Sequence, residues 1–329
     1  MQNGKDVEIA RPPFDLIALI DEACNRIYGL VQHTPAARLP RDPRIPASTR
    51  VYAKCEQLQM TGSFKLRGAT NKIMSLAPDV GAAGVVTSST GNHGLAVAAA
   101  GKFRNIHAEV FLSSQVPEAK WKKIEAHGAQ IRMVGQNPLE AEIAARAAAQ
   151  AASRTYVSPY NDLHVVAGQG TIGVELLQQI ENIDAIFIAT GGGGLISGVG
   201  TYMRERSPHT EIVGCWPENS RVLYECMKTG HIIAYPESYT LSESTAGGVE
   251  PGSITLHLAR AAMHRGVLVS EDAILDAMKW AYDQGWTIEG AAGVALAAYF
   301  QEAAHYEGKT VVVVFCGGNL SPEVQSRLQ

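Results

Sequence analysis

Lys65 stands in Gly62-Ser63-Phe64-Lys65-Leu66-Arg67-Gly68-Ala69, just ahead of an apolar-periodic run through Ala69, Ile73, Met74 and Leu76. Alone, such a lysine is a first-turn helix residue facing solvent. Three other segments change that reading: Ser88-Ser89-Thr90-Gly91-Asn92-His93-Gly94, Gly191-Gly192-Gly193-Gly194 and Cys316-Gly317-Gly318-Asn319. An amine can bond an aldehyde. Four successive residues without Cβ can turn their N–H groups toward one anion, and a following helix start adds partial positive charge. Hydroxyls, an amide and a thiol can meet a carboxylate, a ring oxygen and a ring nitrogen. The combined set suits a phosphorylated aromatic aldehyde.

Each segment also has a plain structural meaning. The glycine run fits a tight turn, and it matches neither G-x-G-x-x-G nor G-x-x-x-x-G-K-[ST], so the nucleotide fingerprints fail. Thr90 or Asn92 suits an N-cap, and His93 a packing histidine. Cys316 suits a small buried apolar residue.

The elements that must position these residues follow from hydrophobic periodicity. Residues 14–32 read as a helix, Pro35 to Pro46 as a proline-rich connection and Arg50 to Lys54 as a strand. From about residue 78 strands and helices alternate: strand Gly84–Thr87, helix Leu95–Phe103, strand Glu109–Leu112, a helix opened by Pro117, strand Ile131–Val134 and helix Leu139–Ala152. A second series runs from a helix at Thr171–Ile180 through strand Ala185–Ala189, helix Leu195–Arg206 and strand Ile212–Trp216. It closes on the β-branched strand Thr310–Phe315, whose continuous apolar pattern is that of a parallel sheet buried on both faces. Such alternation predicts an α/β fold of doubly wound parallel sheets, with ligands at the carboxyl ends of strands. The Ser88, Gly191 and Cys316 segments all directly follow predicted strands.

Bulk composition narrows the function class. With 329 residues, 46% apolar and 18% charged, the chain has room for two domains or for one split by an insertion. A formal charge of −4 opposes nucleic-acid binding, and the one basic run, Lys120 to Lys123, falls on a predicted helix. Five scattered cysteines oppose a disulfide framework or a cysteine-rich zinc site. Met1 to Pro13 carries no secretory pattern, and no stretch approaches ~20 apolar residues. The expectation is a cytoplasmic protein with no membrane partner.

With Ala167-Gly168-Gln169-Gly170-Thr171 added, these motifs resemble the serine/threonine dehydratase family of pyridoxal-phosphate enzymes, which has the tryptophan-synthase-β-like fold. The resemblance spans nearly the whole chain. It implies two doubly wound parallel-sheet domains with the cofactor between them: a small domain (78–155) inserted in a large cofactor-binding one (1–77 and 156–329). It further implies that Lys65 bonds the cofactor and serves as base, that Phe64 packs near the ring, and that Asn92 meets the ring hydroxyl. Gly191, Gly192, Gly193 and Gly194 would hold the phosphate, with Leu195 beside them. Cys316, with Gly317 beside it, would face the ring nitrogen. Ser89, Thr90, Gly91 and His93 would receive the substrate carboxylate, with Thr90 also a candidate catalytic hydroxyl. Glu289, in Glu-Gly-Ala-Ala-Gly, falls in the segment flanking the ring.

The activity implied is β-elimination of water from a hydroxy amino acid, giving a 2-oxo acid and ammonia. Tyr160 and the loop Ser242 to Pro251 are expected at the substrate's side-chain end. Thr245–Gly252 is similar to the hydroxyectoine-utilisation branch, and serine, threonine and 3-hydroxyaspartate are further candidates. Racemase-like members bind a divalent cation through carboxylates where this chain has Trp216 and Val222. Hard cations need oxygen ligands, so no metal is expected there. The alternatives are an amino-acid racemase, which the Thr90 hydroxyl favours, and a catalytically silent cofactor-binding protein. A homodimer is what the resemblance implies.

Overall fold

The computed structural model describes residues 14–328. The expectation for Met1 to Pro13 lies outside them. The described chain opens with α1 (Leu16–Ile27), β1 (Ala36–Arg38), β2 (Arg50–Cys55), α2 (Lys65–Ser75) and the short α3 (Pro78–Ala82). Next come β3 (Val85–Ser88), α4 (Asn92–Arg104), β4 (Ala108–Leu112) and α5 (Glu118–Ala126). They are followed by β5 (Gln130–Met133), α6 (Pro138–Ala151) and β6 (Thr155–Tyr156). Helix α7 (Leu163–Gln179) leads into β7 (Ala185–Ala189), α8 (Gly194–Arg206), β8 (Glu211–Pro217) and α9 (Val222–Thr229). The last stretch holds α10 (Thr255–Ala262), β9 (Arg265–Val269), α11 (Glu271–Asp283), α12 (Gly290–Glu302), β10 (Thr310–Phe315) and α13 (Pro322–Ser326).

The strands form two sheets. The larger has the order β1-β2-β10-β7-β8-β9 and the smaller β5-β4-β3-β6. Every pairing is parallel except β1 with β2. The proline-rich connection therefore hides a three-residue antiparallel edge strand, where a missing N–H on the outer side breaks no ladder. β10 lies between β2 and β7 with all six residues buried, which is why its side chains are apolar on both faces. Each sheet has its own apolar core, and Leu66, Ala69 and Ile73 of α2 belong to that of the smaller sheet.

Helix α7 begins eight residues before the predicted Thr171. Asp162 caps it, its carboxylate accepting from the N–H groups of His164 and Val165. Gly168 and Gly170 weaken this turn as an isolated helix, yet both are needed for contact. A Cβ on Gly168 would lie 2.7 Å from the Gly68 Cα in α2, and one on Gly198 of α8 would lie 2.6 Å from the Gly170 nitrogen. Backbone thus meets backbone on both flanks of α7. Since α2 starts at Lys65 and α8 follows the glycine run, α7 sets the distance between the amine and the turn.

This packing yields a direct expectation. Gly198→Ala is expected to destabilise the protein by about 1–3 kcal/mol through overpacking, read as a lowered denaturant midpoint. Gly248→Ala, whose Cβ meets nothing within 4 Å, is expected to stay within about 0.5 kcal/mol of the parent.

Candidate active site

The lysine segment is stitched to the end of β10. Ser63 and Gly317 form an isolated antiparallel bridge, and the Phe64 N–H donates to the Cys316 carbonyl at 3.0 Å. Two residues beyond Lys65, Arg67 is buried between two carboxylates, with Nε 2.7 Å from Glu56 and Nη1 2.6 Å from Glu175. Lys54 Nζ donates to Glu175 at 2.5 Å and to the Thr34 carbonyl at 2.6 Å. Burial works to raise the pKa of Glu56, but Arg67 and Lys54 hold it below the ordinary carboxylate range. Two cations and two carboxylates cancel, so the base of α2 carries no net charge. Removing one member leaves a buried ion uncompensated. Arg67→Met is expected to cost about 3–5 kcal/mol in a denaturant titration.

Lys65 is the first residue of α2, and its Nζ donates to the Pro159 carbonyl at 2.7 Å. It forms no salt bridge among the described residues. Burial pulls its pKa down to about 8, while Cys316 and Glu289 act in the opposite direction. The Phe64 ring lies alongside, its centroid 5.2 Å from Nζ.

The glycine turn runs from the end of β7 into α8. Gly193 has φ 86°, a left-handed conformation that a side chain would strain. The walls are close: a Cβ on Gly191 would meet the Thr245 backbone at 2.9 Å, one on Gly193 would meet Leu223 at 2.7 Å, and one on Gly192 would strike the Tyr160 ring. Tyr160 therefore covers the glycine turn. Its hydroxyl accepts from the Glu250 N–H at 3.0 Å, and burial pushes its pKa up to about 12.

Asn92 opens α4 and is nine-tenths buried. Its Nδ2 donates to both Glu289 oxygens, at 2.8 and 3.0 Å, and its Oδ1 accepts from Asn319 Nδ2 at 2.7 Å. Glu289 also accepts from Ser244 Oγ at 2.6 Å. Burial raises the Glu289 pKa, and the donors from Asn92 and Ser244 oppose it. Its carboxylate is engaged with protein groups, although the sequence places it among the cofactor contacts. Burial also holds the Cys316 thiol well above its ordinary range, so it stays an uncharged S–H.

His93 departs from its expected role as a carboxylate receptor. Its Nε2 meets the Val157 carbonyl at 2.9 Å, and its Nδ1 is buried without a partner. A carbonyl only accepts, so Nε2 carries the proton and Nδ1 is a bare acceptor. Burial, assisted by the Lys65 charge, lowers the pKa to about 3. A neutral ring presenting a lone pair cannot bind a carboxylate; only the His93 backbone N–H, in the first turn of α4, retains that capacity. Ser89, Thr90 and Gly91 lie on the wall of the main cleft.

These residues line two adjacent cavities. A narrow one of about 40 Å³ is lined by Phe64, Lys65, Asn92, Tyr160, Gly191 to Leu195, Thr245 and Cys316. A wider cleft of about 430 Å³ shares Lys65 and Asn92 with it and runs past Ser89 to His93, Ser244, Glu289 and Asn319. Sequence reasoning placed Ser244 only within the loop Ser242–Pro251 and assigned no role to Asn319 or the Pro159 carbonyl. Asn319 stood in the quoted Cys-Gly-Gly-Asn motif, while nothing marked the Pro159 carbonyl. Trp216 is buried against Tyr224 at 5.4 Å between ring centroids.

Residues 27–317 match the family model described as pyridoxal-phosphate dependent enzyme. The chain belongs to that family. It is 34% identical to an L-threonine ammonia-lyase of Thermotoga maritima, over 84% of this chain and 69% of that protein. The fold is similar to that of threonine deaminase isoform 2 from Solanum lycopersicum, with a TM-score of 0.88 and 28% identity over 95% of this chain and 92% of the other. It is likewise similar to serine racemase from Dictyostelium discoideum, with a TM-score of 0.84 and 32% identity over 93% and 98% of the two chains.

The residues present fit pyridoxal phosphate. The side-chain-free turn at Gly191–Gly194 suits the phosphate, Lys65 suits the aldehyde, and Asn92 and Cys316 suit the polar ring positions. Only the unprotonated amine bonds an aldehyde. The rate of cofactor uptake by the apoenzyme is therefore expected to rise with pH through a midpoint near the Lys65 value of about 8 and then level. A midpoint near the ordinary lysine value, ~10.4, would contradict the lowered pKa.

Proposed function

We propose that this enzyme is a pyridoxal-phosphate-dependent ammonia-lyase that removes water from a β-hydroxy amino acid of the serine/threonine kind, leaving a 2-oxo acid and ammonia. The observation that carries the proposal is the Lys65 amine. It is half-buried, donates to a backbone carbonyl, has its pKa pulled down to about 8 by desolvation, and lies between the glycine turn and the Ser89–Gly91 wall. Similarity to threonine ammonia-lyases and deaminases supports the same reading.

Bound between Lys65 and the glycine turn, pyridoxal phosphate would supply a conjugated ring that withdraws electrons from the substrate's α-carbon. The chain's own groups do the rest. The glycine turn and the start of α8 fix the phosphate end through N–H groups and the helix dipole. Ser89, Thr90 and the N–H groups at the start of α4 take the substrate carboxylate. Lys65, largely stripped of water, can shed its proton near neutral pH and accept one from the α-carbon. The Pro159 carbonyl accepts from the amine and aims it. Cys316, an uncharged thiol, leaves the ring nitrogen without a counter-ion, which favours prompt loss of the β-hydroxyl over long-lived carbanion chemistry. The small domain is taken as 78–155 within a large domain of 1–77 and 156–329, with the cofactor between them.

The Ser/Thr/Gly-rich loop Ser242–Pro251 supports a polar substrate, and a hydroxyectoine-derived hydroxy amino acid belongs to the proposal, as do a homodimer and a cytoplasmic setting. One observation favours racemisation as a second activity: the Thr90 hydroxyl lines the same cleft as Lys65, where it can deliver a proton to the α-carbon. The deciding assay offers serine, threonine, 3-hydroxyaspartate and hydroxyectoine-derived amino acids to the holoenzyme and measures ammonia, 2-oxo acid and D-serine. Ammonia release from at least one substrate, reduced by at least about a thousandfold in Lys65→Ala, is the expected outcome. D-Serine forming faster than ammonia would replace the lyase reading with the racemase one.

A further inference from the structure

The Asn92 side chain is built into the site in one of two possible orientations. An asparagine amide is nearly symmetric in shape, but one end donates and the other accepts. Asn319 addresses the oxygen end: its Nδ2 donates 2.7 Å to Asn92 Oδ1 and 2.8 Å to the Thr61 carbonyl. Because the Thr61 carbonyl only accepts, the Asn319 amide cannot reverse without losing that bond. Gly62 leaves the room it needs, since a Cβ there would lie 2.7 Å from Asn319 Oδ1. Glu289 addresses the nitrogen end with both carboxylate oxygens, and an ionised carboxylate only accepts.

We propose that Glu289 is a positioning residue that, with Asn319, fixes the orientation of the Asn92 amide and acts on cofactor binding through it. Reversing the amide would place its oxygen against the carboxylate and its nitrogen against the Asn319 donor, so both contacts would become repulsive. Both Glu289 oxygens face Asn92 Nδ2, and Oε1 also accepts from Ser244, so it is their acceptor role that makes the choice one-sided. A glutamine in its place could donate to the reversed amide or accept from the present one, and the selection would be lost at unchanged volume. Ser244 contributes by donating 2.6 Å to Glu289 Oε1, which orients the carboxylate and favours its ionised form. Close packing of Gly317 holds the carboxylate in place, since a Cβ there would lie 2.7 Å from Glu289 Cδ.

The inference rests on the proposal that Asn92 faces the cofactor. Its test is a double-mutant cycle on the dissociation constant of pyridoxal phosphate, titrated into apoenzyme and read by absorbance, so no turnover enters. Glu289→Gln and Asn92→Ala are each expected to weaken binding about tenfold or more. The double variant is expected to be no weaker than Asn92→Ala alone. Ser244→Ala, which keeps the Glu289 charge, is expected to weaken binding by a smaller factor, again without further effect once Asn92 is alanine. This variant carries the test if Glu289→Gln fails to fold. Losses that multiply in the double variant would mean that Glu289 acts independently of Asn92, and unchanged binding in Glu289→Gln would mean that it does not act. Either overturns the inference while leaving the lyase assignment intact. Absence of any cofactor uptake by the parent protein would sink both.

Discussion

A partly desolvated lysine amine, with no carboxylate to pair with among the described residues, is the constraint on which the rest of this structure depends. Burial favours the neutral amine, and a salt bridge would return the charge. The surroundings must therefore be rich in polar groups and poor in free acids. The neighbouring acids are accordingly occupied: Glu56 and Glu175 by Arg67 and Lys54, and Glu289 by Asn92 and Ser244. What remains for Lys65 is the Pro159 carbonyl, which orients the amine without adding a formal charge. The Arg67 network anchors the helix that starts at Lys65 and neutralises its own two carboxylates.

A second constraint is distance. An amine and a glycine turn separated by more than a hundred residues line one small cavity. The fold meets this by packing α7 against α2 on one flank and α8 on the other, through glycines that admit no side chain between the backbones. The Ala167–Thr171 motif belongs to this spacer. Its sequence reads as a poor helix because glycine is costly there, and the structure shows what that cost supports.

Most of the α/β architecture was legible in the chain because strands buried on both faces, such as Thr310–Phe315, carry continuous apolar residues, and helices carry a 3.6-residue period. The segments after β3, β7 and β10 could be picked out because glycine and polar residues interrupt those patterns where ligands bind. The start of α7 was not legible: its helix is fixed by the Asp162 cap and by tertiary contact rather than by periodicity. β1 was hidden by length, three residues flanked by prolines. His93 illustrates a different limit. Its residue type allowed carboxylate binding, and only the Val157 carbonyl opposite Nε2 removed that option. Tyr160 and the Arg67 partners belong with it, since the residues they bond lie 11 to 108 positions away and no local pattern announces them.

The central claim is that Lys65, and no other lysine, bonds the cofactor. Borohydride reduction of the holoenzyme, followed by proteolysis and mass spectrometry, locates the pyridoxyl group directly. The account predicts a single modified peptide carrying the label on Lys65. Label on any other lysine, or a holoenzyme that retains cofactor but yields no labelled lysine, would contradict it.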